Sequence, residues 1–117
     1  MIVVMLSAPY AGLTEKEREG VKGVLRLTSE WLWQQGIACI TPHLNTDGHD
    51  DAVARENYLR GYEEIASRCD AVLQVCEWLV DGESEGMRRE REAAPRHFTS
   101  VLEFIHWWQG LPEEVKK

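Results

Sequence analysis

The sequence has few of the features that mark disulfide-rich, zinc-binding or membrane proteins. Its cysteines are odd in number and form no Cys-x-x-Cys pair, which argues against a disulfide framework and a zinc site. The apolar run at residues 2–6 is far shorter than the roughly 20 residues of a membrane helix, and no basic stretch precedes it as in a signal peptide. We therefore expect a cytoplasmic protein, away from membranes, with reduced thiols. The cysteines are Cys39, Cys69 and Cys76.

Basic residues are also scarce, because 13 lysines and arginines stand against 20 aspartates and glutamates, for a net charge of −7. This excess of negative charge argues against nucleic acid as a partner. The Gly-x-Gly-x-x-Gly and Gly-Lys-Ser/Thr motifs of phosphate-binding loops do not occur, and the four histidines lack the spacing of paired metal ligands. We expect neither a cofactor nor a metal ion.

What the sequence does contain is an alternation of short apolar runs and amphipathic segments. Its 117 residues, 44% of them hydrophobic, suit a single globular domain over residues 1–117. Apolar runs predict strands at residues 2–6, 37–40, 71–76 and 97–99. Because strands alternate with helices, we predict a three-layer α/β fold, with a parallel sheet of four to five strands and helices on both faces.

The predicted helices have recognisable ends. Thr14 and Glu17 form a capping-box pattern at the start of the first helix, and Gly36 closes it. The second helix is predicted at about residues 52–68, the third runs from its cap Ser84 to Pro95, and the last covers residues 100–109, followed by a frayed tail at 111–117. One face of the second helix carries Tyr58, Tyr62, Ile65 and Cys69.

Parallel sheets bind ligands outside the carboxyl ends of their strands, which directs attention to residues 7–12, 41–51 and 77–84. A helical projection of the third helix puts Glu90 on one face with Met87 and Ala94, which would aim a lone carboxylate at the sheet. Such a group is a candidate nucleophile or general acid/base. Two alternatives stay open: Glu90 as a surface residue paired with a basic side chain, and Ser84 as a helix cap without a ligand.

Three segments together resemble a known family. They are Ser-Ala-Pro-Tyr-Ala-Gly at residues 7–12, Cys-Asp-Ala-Val-Leu at 69–73, and Ser-x-Gly-Met-x-x-Glu at 84–90, with Trp78 between the last two. In this register they resemble the nucleoside 2-deoxyribosyltransferase-like superfamily, and in particular its small members. The similarity spans about residues 2–105 and implies a flavodoxin-like, Rossmann-like sheet.

The resemblance implies chemistry at the N-glycosidic bond of a nucleoside or nucleotide. Glu90 takes the place of the glutamate that attacks the anomeric carbon of the sugar, and Tyr10 the place of the tyrosine beside it. The resemblance also implies a homo-oligomer. The implied substrate-binding residues are Ser7, Pro9, Gly12, Trp78, Ser84, Gly86 and Met87.

Two positions depart from the family pattern. Tyr62 stands where the enzymes carry an aspartate, and Ala11 where the nucleotide hydrolases tend to carry an arginine. Two functions therefore remain open: an N-glycosidase or deoxyribosyltransferase-like enzyme, and a catalytically inactive nucleotide-binding or structural oligomer of the same fold. Trp33 and Trp107 are hard to bury with their neighbours, so they suggest either an oligomer interface or partial burial under loops.

Overall fold

The sheet has four strands in the order β2-β1-β3-β4, and all of them are parallel. The computed structural model describes residues 1–49, 53–80 and 83–117. The predicted α/β fold with a parallel sheet is confirmed within this part of the chain, and of the predicted four to five strands four are present. The strands are β1 (Val3–Ser7), β2 (Ala38–Ile40), β3 (Ala71–Gln74) and β4 (His97–Phe98).

Six helices connect or follow the strands in the described part of the chain. The capping box at Thr14 is present, and Gly36 has the positive φ of +83° that suits a residue just beyond a helix end. The side chains of Ser84 and Ser100 cap their helices as well. The helices are α1 (Glu15–Gln34), α2 (Pro42–Asn45), α3 (Arg55–Arg68), α4 (Glu85–Ala93), α5 (Val101–Gln109) and α6 (Glu113–Lys116).

The helices form a layer on each face of the sheet, because successive side chains of a strand point to opposite faces. On one face, Val4 and Leu6 of β1 pack in one cluster with Leu25 of α1 and Phe104 of α5. On the other face, Met5 of β1 packs with residues of α3, and Ala93 at the end of α4 and the following Ala94 pack against this cluster. The predicted arrangement in three layers is therefore present.

Several predicted boundaries differ from the observed ones. The third strand ends at Gln74 rather than at residue 76, because Cys76 has a left-handed φ of 59° that turns the chain out of the sheet, into a turn of 3₁₀-helix at Glu77–Leu79. The second long helix begins at Arg55, and the predicted start at residue 52 lies outside the described residues. Residues predicted as loop and as frayed tail contain the short helices α2 and α6.

The tryptophans that suggested an interface have different surroundings. Trp33 is 55% exposed on α1, whereas Trp107 is partly buried against Phe98 and Phe104.

No helix in the described ranges is long and apolar enough to cross a membrane.

Candidate functional site

A cavity of about 520 Å³ lies at the carboxyl edge of the sheet, where the parallel topology predicts a site. The loop after β1, the loop after β2, helix α3 and the first two turns of α4 all contribute to its wall. Its volume is within the range of roughly 300–1,000 Å³ that is usual for small-molecule sites. The fold thus brings three distant parts of the sequence around one space.

Glu90 lies at the wall of this cavity and is only 2% exposed. The hydroxyl of Ser7, the last residue of β1, donates a hydrogen bond of 2.5 Å to Oε2 of Glu90. The alternative of a surface glutamate paired with a basic side chain is therefore wrong, since the ion pairs of the described residues do not include Glu90. Glu90 is a buried carboxylate with a polar partner.

Burial raises the pKa of Glu90 to about 7, because a carboxylate loses its hydration inside the protein. The hydrogen bond from Ser7 stabilises the charged form and lowers the pKa, whereas the negative charge of Glu63 raises it. Desolvation is the largest of these effects. Near neutral pH the group is thus present in both protonation states, which suits acid, base or nucleophilic work.

Helix α4 is held in position around Glu90 by contacts with the sheet and with α3. The side-chain amide of Gln74, at the end of β3, donates to the carbonyl of Met87 at 2.9 Å. The guanidinium of Arg89 is ion-paired with Glu63 and, at 2.9 Å, with Glu56, both on α3. These contacts fix the helix that carries the carboxylate.

The beginning of α4 also borders the cavity. The side chain of Ser84 accepts a hydrogen bond of 3.2 Å from the amide of Met87, so that amide is already engaged rather than open to a ligand. Gly86 lines the cavity and packs on α3, because a Cβ added there would stand 3.4 Å from Cδ2 of Leu59. A side chain at this position would therefore be in ordinary contact with α3.

Aromatic side chains form a large part of the wall. The ring of Tyr10 stacks on that of His43, with 5.0 Å between the centroids and 9° between the planes. His43 meets Tyr62 edge to face at 5.4 Å, and Tyr62 lies 6.1 Å from Tyr58. Flat rings of this kind offer a surface for a planar ligand wherever a ring face is not covered by another protein group.

Hydrogen bonds fix the orientation of these rings. Nε2 of His43 donates to the carbonyl of Ala8 at 2.9 Å, and burial lowers the pKa of His43, so the ring is neutral at pH 7. The hydroxyl of Tyr62 lies 2.6 Å from Oγ1 of Thr46, whose own proton goes to the carbonyl of Pro42 at 3.0 Å. Tyr62 is therefore the donor to Thr46. Burial raises its pKa above the ordinary value, which keeps the phenol protonated.

The structure brings together five of the nine predicted site residues at the cavity wall, and the others lie elsewhere. Ser7 stands behind Glu90 as its hydrogen-bond donor. Pro9 is buried in the first loop and Gly12 turns that loop with a φ of +82°, but the described cavity lining includes neither. Trp78 is 71% exposed and lies outside that lining. The five at the wall are Tyr10, Ser84, Gly86, Met87 and Glu90.

Sequence reasoning pointed to the loop after β2 but did not single out the residues in it that line the cavity, and it missed Arg18. His43 and Thr46 line the cavity from α2 and the residue that follows it, and Arg18 reaches it from the first turn of α1. The topology directed attention to residues 41–51, but nothing in that segment distinguished His43. For Tyr62 a signal existed, because it belonged to the apolar face of the second helix.

Fold and site define an α/β protein with a parallel sheet whose carboxyl edge bears an aromatic cavity and a buried carboxylate. Neither a protein-family model nor a curated protein matches the sequence. Within the described residues no group of three or more His, Cys, Asp or Glu side chains is arranged to hold a metal ion.

Proposed function

We propose that this protein cleaves or exchanges the N-glycosidic bond of a nucleoside or nucleotide, with Glu90 as the nucleophile. The observation that carries the proposal is the carboxylate of Glu90, buried to 2% exposure, bonded to Ser7 and bordering an aromatic cavity. Such a group is suited to attack an electron-poor carbon, since few waters compete for it. The resemblance of the loop at residues 7–12 and of α4 to the deoxyribosyltransferase-like superfamily points to the same chemistry.

The proposed reaction has two displacements. An oxygen of Glu90 forms a bond to the anomeric carbon, the carbon–nitrogen bond breaks, and its electron pair leaves with the base, which takes up a proton. Water then attacks the anomeric carbon of the glycosyl ester and loses a proton to the solvent, which releases the sugar and restores the carboxylate. A second base that attacks in place of water, and loses its own N–H proton, gives transfer instead of hydrolysis. This is the logic of retaining glycosidases, in which a carboxylate meets an oxocarbenium-like transition state.

The pKa of Glu90 determines how the rate of the proposed reaction should depend on pH. A nucleophile must be deprotonated, and the pKa of about 7 means that the reactive form increases as the pH rises through neutrality. The rate of base release is therefore expected to rise between pH 6 and pH 8 and then level off. A fall over the same interval would instead indicate that the protonated carboxyl of Glu90 acts as a general acid.

The test is release of free base from a panel of ribo- and deoxyribonucleosides and their 5′-monophosphates, followed by chromatography. Glu90→Gln keeps the shape of the side chain and removes the nucleophile, so it is expected to release no base above background. Glu92→Gln is the matched control, because Glu92 is an exposed glutamate on the same helix, ion-paired with Arg88. Equal release by wild type and Glu90→Gln would overturn the proposal.

A nucleotide-binding protein without catalysis is the second candidate, and Tyr62 favours it. Its neutral phenol, bonded to Thr46, stands at the position where the enzymes of the resembling family carry a carboxylate. A ligand from the same panel that raises the melting temperature, yet loses no base in the presence of the protein, would support this function. Binding abolished by substitutions in the cavity would place that ligand at the same site.

We also propose that the protein is a homo-oligomer located in the cytoplasm. Large apolar side chains are exposed on three elements, with Leu27 at 71%, Trp78 at 71% and Leu102 at 79%. Burial of such residues against a second copy would remove apolar area from water. The three cysteines are buried free thiols, which supports a reducing compartment. Light scattering after size-exclusion chromatography tests the assembly, and a monomer at micromolar concentration would contradict it.

A further inference from the structure

The ring of Tyr10 is held by two side chains from different helices. The imidazole of His43, on α2, stacks on it at 5.0 Å, and the guanidinium carbon of Arg18, on α1, lies over it at 5.1 Å from the centroid. The distance to Arg18 is within the roughly 6 Å at which a cation attracts an aromatic ring. The planar surface of Tyr10 is thus already in contact with the protein.

The same two side chains also hold the backbone of the loop that carries Tyr10. Nε of Arg18 donates to the carbonyl of Tyr10 at 3.2 Å, and Nε2 of His43 donates to the carbonyl of Ala8 at 2.9 Å. Each of them therefore makes one contact to the ring and one to the loop. A ring and a peptide fixed by the same side chains have little freedom to move relative to each other.

We propose that Arg18 and His43 are positioning residues that hold Tyr10 edge-on to the cavity. In this position Tyr10 contacts the ligand through its hydroxyl and not as a stacking surface. The hydroxyl is the polar atom of the Tyr10 ring, and Tyr10 borders the same cavity as Glu90. The planar part of the ligand then packs elsewhere on the wall. This assignment of the hydroxyl rests on the proposed function, whereas the positioning of the ring does not.

The two roles of Tyr10 make opposite predictions for Tyr10→Phe, which removes the hydroxyl and keeps the ring. If Tyr10 acted by stacking, the variant would turn over the substrate normally. If it acts through its hydroxyl, kcat is expected to fall by on the order of 100-fold, as for the loss of one preorganised hydrogen-bond donor. Wild-type kcat in Tyr10→Phe would overturn the role assigned to the hydroxyl.

The positioning is tested by replacing the flanking side chains, with Arg18→Met and His43→Leu. Both are expected to lower kcat about tenfold and to leave KM nearly unchanged, because they displace a catalytic group rather than remove a ligand contact. The matched controls are Arg26→Met, on the exposed side of α1, and His106→Leu, exposed on α5. Neither control is expected to alter kcat.

A measurement without substrate separates this inference from the proposed function. The chain has three tyrosines, so the ring signals of Tyr10 in the aromatic NMR spectrum are identified by their loss in Tyr10→Phe. In the wild type these signals should show contacts to the ring of His43 and shift in both Arg18→Met and His43→Leu. Unchanged signals in the two variants would overturn the positioning, whether or not any base is released. Shifted signals without base release from the panel would retain the positioning and reject the proposed function.

Discussion

The hydroxyl of Ser7 donates a hydrogen bond of 2.5 Å to the carboxylate of Glu90, and the two residues lie 83 positions apart in the sequence. Ser7 ends β1, one of the two inner strands of the sheet, whereas Glu90 lies within α4. The bond therefore connects the carboxyl edge of the sheet to the helix that borders the cavity. It is also a stabilising interaction for the charged form of a carboxylate whose burial favours the neutral form.

Removal of this donor should raise the pKa of Glu90. In Ser7→Ala the carboxylate stays buried but loses the hydrogen bond that lowers its pKa, so the value is expected to move above about 7. NMR titration of the glutamate side-chain carbons measures it directly. Ser67→Ala serves as the control, because that exposed hydroxyl bonds to the carbonyl of Glu64 on α3. An unchanged or lower pKa in Ser7→Ala would show that Ser7 does not stabilise the charge.

The buried carboxyl should also make the stability of the protein depend on pH in an unusual direction. Glu90 has a pKa of about 7 in the folded protein against an ordinary value of 4.5. Between these values the folded protein retains a proton that the unfolded chain has lost. Raising the pH through this window therefore lowers the free energy of unfolding, by on the order of 3 kcal/mol at most for this group.

Glu90→Gln isolates this contribution, because the amide accepts the hydrogen bond from Ser7 and carries no charge. The variant is expected to be more stable than the wild type at pH 8, by about 1–3 kcal/mol, and nearly equal to it at pH 4.5. Urea unfolding at the two pH values measures the difference. Glu63 and Glu83 have lowered pKa values, so their contributions to the free energy of unfolding decrease towards low pH. These contributions are the same in the wild type and the variant and therefore cancel in the comparison. A variant less stable than wild type at pH 8 would contradict this account.

Local sequence signals were sufficient for much of the fold. The capping box at Thr14, the glycine at position 36 and the cap at Ser84 act within a few residues of the chain, and each is present as predicted. The direction of Glu90 followed from helical periodicity, because the third helix has small or apolar neighbours on one face. Strand alternation with helices then restricted the sheet to a parallel one.

What the sequence did not reveal depends on contacts between distant segments. The partner of Glu90 comes from the first strand. The stack on Tyr10 needs the short helix α2, which was not predicted because it lies in a polar segment that is typical of a loop. The end of the third strand depends on a left-handed residue at Cys76, and cysteine has no preference for that conformation. Such features follow from tertiary packing, which overrides local preference.

The ion pairs of Arg89 should influence both the stability of the protein and the acidity of Glu90. Arg89→Met removes the cation between Glu56 and Glu63, so the two carboxylates of α3 are left beside α4 without their partner. We expect a lower melting temperature and a higher pKa of Glu90, since the negative charge of Glu63 raises it. Arg88→Met is the control, because Arg88 pairs on the exposed side of α4 with Glu92.

Salt should distinguish this electrostatic effect from a loss of packing by the Arg89 stem. Added salt screens charges, so the pKa of Glu90 in wild type and Arg89→Met should converge as the ionic strength rises. A difference in pKa that stays constant up to 1 M salt would show that the substitution acts by shifting α4 rather than through charge.

Gly86 should be a position where stability and function oppose each other. In Gly86→Ala the added methyl group stands 3.4 Å from Cδ2 of Leu59, an ordinary contact, and the helix gains about 0.5–1 kcal/mol because alanine loses less backbone freedom on folding. Gly86 also lines the cavity, so a side chain at this position adds bulk at the cavity wall. We therefore expect a more stable protein in urea unfolding that binds and turns over its ligand less well.

Gly61→Ala provides the comparison that separates the two effects. Gly61 lies within α3 on its exposed side, and a Cβ added there meets nothing within 4 Å. This variant should show a similar gain in stability with no loss of binding, because Gly61 is not among the residues that line the cavity. If both variants retain full binding, the ligand does not approach the start of α4. A loss of binding confined to Gly86→Ala would instead show that the first turn of α4 contacts the ligand, and that Gly86 belongs to the same site as Glu90.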